Sequence, residues 1–159
     1  MKSIVLLAAF LSSITLASRA GHSVSYTTSD LGHITSFSLI VEPIDANGQT
    51  CGIQQSTISN AIEYPLVGTG LTIDSKSDSY LSVATSTIII RDNCVTAYSI
   101  ELLTRLTVIF HEKLSRARVL LWESGGLFSS TRGDHAPHCD EVFRQAARDL
   151  VVSWNREKK

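Results

Sequence analysis

Seven consecutive residues near the C-terminus, Asp134-His135-Ala136-Pro137-His138-Cys139-Asp140, hold two imidazoles, a thiol and two carboxylates. Imidazole nitrogen and thiolate sulfur are donors that zinc and copper accept, so His135, His138 and Cys139 form a candidate metal triad. A structural zinc site needs a fourth ligand, and only Cys51, Cys94 or His111 offers one. The same residues admit thiol chemistry. With Cys139 at a helix N-terminus beside a protonated His138, the dipole and the imidazolium favour the thiolate, and His135 or His138 is the neighbouring base. Asp140 and Glu141 oppose that shift. The competing reading is a solvated loop that leads into a helix and holds no cofactor, and it is the expectation carried forward.

Other catalytic signatures are missing from the sequence. Glu123-Ser124-Gly125-Gly126 lacks the G-x-S-x-G form of a nucleophile elbow, and there is no phosphate loop, dinucleotide fingerprint or H-E-x-x-H. Trp122 and Trp154 read as core aromatics rather than ligand-stacking ones. The chain is therefore expected to bind rather than to catalyse. Cys51, Cys94 and Cys139 allow at most one intramolecular bridge, with three pairings open. Cys51 with Cys94 is preferred, because both fall at element ends that can meet at one edge.

The N-terminus says where the chain works. Lys2 precedes an apolar run from Ile4 to Leu16, and Ser18-Arg19-Ala20 resembles a peptidase site. That run, about 13 residues, is short of the roughly 20 a spanning helix needs. Residues 1–20 thus read as a signal peptide and 21–159 as one exported α+β domain, periplasmic or secreted, not inserted in a membrane after cleavage. Removing Lys2 and Arg19 from 14 basic residues leaves 12 against 15 acidic ones. A scattered basic set inside a net-negative chain argues against a nucleic-acid partner.

Hydrophobic spacing supplies the elements that must hold these residues. Ile34 to Val41 reads as a strand, and a helix follows with Thr50 as N-cap and Ile53, Ile58, Ala61 and Ile62 on its apolar side, until Pro65 and Gly68 stop it. From Gly70 the period becomes two. Leu71 to Ile73 and Tyr80 to Ile90 read as strands. The next strand carries Tyr98, Ile100, Leu102, Thr104, Leu106, Val108 and Phe110 on one face and Ser99, Glu101, Arg105, Thr107 and His111 on the other. Arg116 to Glu123 completes the sheet, ending at Gly125-Gly126. A polar loop from Gly125 to His138 then leads to a helix whose stripe is Val142, Phe143, Ala146, Ala147, Leu150, Val151 and Trp154.

The order β-α-β-β-β-β-α predicts a two-layer α+β sandwich, a mostly antiparallel sheet of four to five strands with both helices on one face. That order, with "GTGLTIDSKSDSYLSVAT", "RVLLWESGG" and a closing helix near Trp154, resembles small envelope proteins of Gram-negative bacteria. These are the auxiliary lipoproteins of ABC-type transporters and the lipopolysaccharide-assembly lipoproteins. The likeness is one of pattern and spans most of Ile34 to Trp154. Gly21 stands where those families carry the cysteine that is lipidated. The resemblance implies a soluble, non-enzymatic part of an envelope complex, with another envelope protein as partner. The sheet face left bare by the helices would present Leu103, Ile109, Leu120 and Trp122 among Arg105, Arg116 and Arg118, a mixture enriched in interface cores.

Overall fold

The computed structural model describes residues 28–110 and 113–158, and the side-chain surroundings of 31–109 and 113–158. The expected signal peptide at 1–20, Gly21 and His111 lie outside the described residues. The fold is α+β. Strand β1 (Ser36–Val41) is followed by a one-turn helix α1 (Ala46–Thr50) and helix α2 (Gln55–Leu66). Strands β2 (Thr72–Ile73), β3 (Ser79–Ile90), β4 (Asn93–Phe110) and β5 (Lys113–Thr131) then lead, through a short 3-10 turn, into helix α3 (His135–Glu157). Among the described residues no helix is long and apolar enough to cross a membrane.

The five strands lie in the order β2-β1-β3-β4-β5. The sheet is mixed, because β1 sits between β2 and β3 and runs parallel to both, while β3, β4 and β5 are antiparallel neighbours. Helical crossovers let a strand return parallel, which tight hairpins cannot do. Between Asp74 and Asp78 the chain passes from one side of β1 to the other. The Asp74 N–H donates to the Phe37 carbonyl and the Ser77 hydroxyl to that of Ser36, each at 2.9 Å.

Local chemistry moves three predicted boundaries. Between the first strand and the expected helix, Ala46–Thr50 forms helix α1, capped by Asp45, whose Oδ1 accepts the Gly48 N–H at 2.6 Å. Thr50 closes that helix, its hydroxyl donating to the Ala46 carbonyl, instead of opening the next. Gly125-Gly126 does not end the last strand. Gly126 stands opposite Tyr98, whose ring covers it, and pairing continues to Thr131. The predicted loop from Gly125 to His138 is therefore mostly strand and helix. Pro137 falls in the first turn of α3, where its missing N–H has no intrahelical role.

One core joins the layers. Ile58, Ala61, Ile62 and Leu66 of α2 and Phe143, Ala147, Leu150 and Trp154 of α3 pack over Phe37, Leu81, Val83, Ile100 and Leu102 of the sheet. Trp154 is 1 % exposed and donates its Nε1–H to the Ile34 carbonyl at 2.7 Å, which ties the end of α3 to the start of β1. A disulfide between Cys51, just after α1, and Cys94, at the start of β4, clamps the other end. A bridge of this kind persists in oxidising compartments and is consistent with a chain that works outside the cytosol.

Candidate functional site

The helical period puts His135, His138 and Cys139 along one side of α3, but at different depths. His135 and Cys139 stand one turn apart on the buried side of α3, at 0 % and 1 % exposure, whereas His138 faces out with its ring edge-on to Phe128. Both imidazole nitrogens of His135 are in use. Nε2 lies 2.8 Å from Thr96 Oγ1, and Nδ1 lies 2.8 Å from Ser130 Oγ, while Phe128 stacks on the ring. Thr96 Oγ1 is also 2.8 Å from Thr87 Oγ1, and Asp45 Oδ2 accepts the Thr87 N–H, so a polar chain crosses three strands beneath the helix.

This chain of hydroxyls explains a buried histidine without invoking catalysis. Burial, and then the neighbouring His138, push the His135 pKa down and keep the ring neutral. Ser130 occupies the position at Nδ1 where a catalytic triad would need a carboxylate, and the fully buried ring has no exposed edge for a substrate to reach. Cys139 is equally placed. Burial, and then the Asp140 carboxylate, push its thiol up to about 12, which holds it as a protonated, apolar filler. The candidate metal triad of His135, His138 and Cys139 is not assembled as a ligand set, since both His135 nitrogens are engaged by hydroxyls and His138 is exposed. No group of three or more His, Cys, Asp or Glu side chains able to hold a metal occurs among the described residues.

The opposite face of the sheet is bare among the described residues, and the β4–β5 register sets what it shows. Glu101 pairs with Glu123, Leu103 with Leu120, Arg105 with Arg118 and Thr107 with Arg116. All four charged partners in the Glu and Arg pairs are exposed, Leu120 is 46 % exposed, and the Arg105 guanidinium lies 5.3 Å above the centre of the Tyr80 ring. Opposed pairs of like charge are unfavourable in a sheet. Among the described residues none of these four charges takes part in an ion pair.

One residue expected here belongs elsewhere. A register shift between Leu102 and Leu103 leaves Leu121 as an extra residue in β5, so Trp122 stands opposite Leu102 and packs on the core. A bulge reverses the alternation that counting by two assumes. Ile109 lies on the bare face toward the hairpin end and is 77 % exposed. Leu127, 69 % exposed, joins the face because β5 runs past Gly126. Glu123 was missed for the same reason as Trp122: its face depends on the bulge.

No family model matches the chain, and no curated protein matches it. Among solved structures, a protein from Caulobacter crescentus described as a "putative lipoprotein" is similar at 12 % identity and a TM-score of 0.35, over 83 % of this chain and 96 % of that one.

Proposed function

We propose that this protein is an exported, non-catalytic binding protein that works as an accessory part of a cell-envelope complex in the periplasm. It meets its partner through the bare face of the sheet, at Leu103, Arg105, Arg116, Arg118 and Leu120. The observation that carries this reading is the two opposed like-charge pairs that flank two leucines on a surface that, among the described residues, is neither neutralised nor covered. Arginines interleaved with apolar side chains are what interface centres are enriched in, and a partner of opposite sign would relieve the repulsion. The Cys51–Cys94 bridge supports an oxidising compartment. The saturated His135 and the high-pKa Cys139 give no support to catalysis at the polar cluster.

A photocrosslinking residue at Leu120, with Val152 on the outer side of α3 as control, tests the reading in cells. A discrete adduct from position 120 and none from 152 is the expected result. Adducts from 152 alone, or from neither position, sink it.

A further inference from the structure

The order of charges on the bare face contains its own complement. Along β4 it reads Glu101, Leu103, Arg105, and along β5, in the opposite direction, Arg118, Leu120, Glu123. Across the two strands this makes an acidic band, an apolar band and a basic band. Adjacent bands are about 7 Å apart, two residues along a strand. Turning a second copy over by 180° about an axis that lies in the plane between the sheets, across the strands and through the leucine band, exchanges the outer bands. Arg105 and Arg118 then stand over the second copy's Glu101 and Glu123, leucine meets leucine, and every like-charge pair acquires two charges of the opposite sign. The alternative two-fold axis, along the strands, places acid on acid and base on base. The self-pairing is thus specific in orientation.

We propose that the partner on this face is a second copy of the chain, packed sheet against sheet about that axis, an inference that rests on the face being a binding surface. Two further features suit it. Beside the acidic band lies a shallow depression of about 360 Å³ between Glu101, Glu123, Ser99 and Gly125, with room for an arginine head. Small residues, Ser82, Ala84, Ala97 and Ser99, keep the neighbouring surface low.

A charge-swap experiment on the exported protein tests the idea by sedimentation equilibrium at low and high salt. The wild type is expected to be a dimer that weakens with salt. Arg105→Glu with Arg118→Glu makes both outer bands acidic, and Glu101→Arg with Glu123→Arg makes both basic. Each keeps two like-charge pairs within the monomer, so folding, followed by circular dichroism, is expected to persist. Each is expected to self-associate about a hundredfold more weakly or worse, while an equimolar mixture of the two forms mixed dimers. A monomeric wild type, or variants that dimerise as well as the wild type, overturns the proposal. In either case a Leu120 crosslink to a different protein leaves the binding-face reading standing, whereas no Leu120 adduct removes both.

Discussion

His135 shows how one side chain can resemble a reactive group and serve as a fastener. Its two nitrogens satisfy two hydroxyls from different strands, and its ring fills the space under the start of α3. Because the folded-state pKa is lowered, the unfolded chain binds a proton that the native one refuses. Stability is therefore fully present above about pH 6.5, the ordinary histidine value, and is lost as the pH falls from there toward the folded-state pKa. Urea unfolding across that range is expected to show the loss, and a His135→Asn variant to lack this part of it. A wild-type curve that stays flat through the weakly acidic range contradicts the assignment. His135→Ala is expected to cost about 2–4 kcal/mol, since it leaves a cavity and two unsatisfied hydroxyls. Cys139, 1 % exposed with its thiol near 12, is expected to resist a thiol reagent in the native protein and to react on unfolding. The reverse order of reactivity would revive a catalytic role.

At the scale of elements, the Cys51–Cys94 bridge and the Asp45 cap hold the same corner. The bridge closes 43 residues of sequence separation, worth about 4 kcal/mol on a chain-entropy account. Replacing both cysteines by serine is expected to lower the unfolding free energy by about that amount in denaturant titration. Asp45→Ala releases the N–H groups of Gly48 and Thr87 together, and a loss of about 1–2 kcal/mol is expected. Most elements here were legible in the sequence, since the strand and helix periods of β3, β4 and α3 are carried by the side chains themselves. The start of α3 was not. Pro137 looks like a breaker, yet carrying the stripe of Phe143 and Ala147 back by one and two turns reaches Cys139 and His135, and that is the signal that places them in the core. Gly125-Gly126 misled in the other direction, because the Tyr98 ring that protects the strand there comes from a different part of the chain.

At the scale of the molecule, stability and assembly are expected to be linked. If two copies meet through the charge bands, unfolding exposes the interface as well as the core, and the melting temperature rises with protein concentration. The Arg105→Glu, Arg118→Glu variant is expected to melt at a temperature independent of concentration. A wild type whose midpoint ignores concentration speaks against the dimer. Amino-acid pattern alone determined the two layers, the helix faces and which strands alternate, because those follow from periods of two and 3.6 within a single segment. The parallel placement of β1 and the side on which Trp122 and Glu123 fall came only with the tertiary structure. Both depend on which strand lies next to which and in what register, and a single inserted residue at Leu121 reverses the outcome.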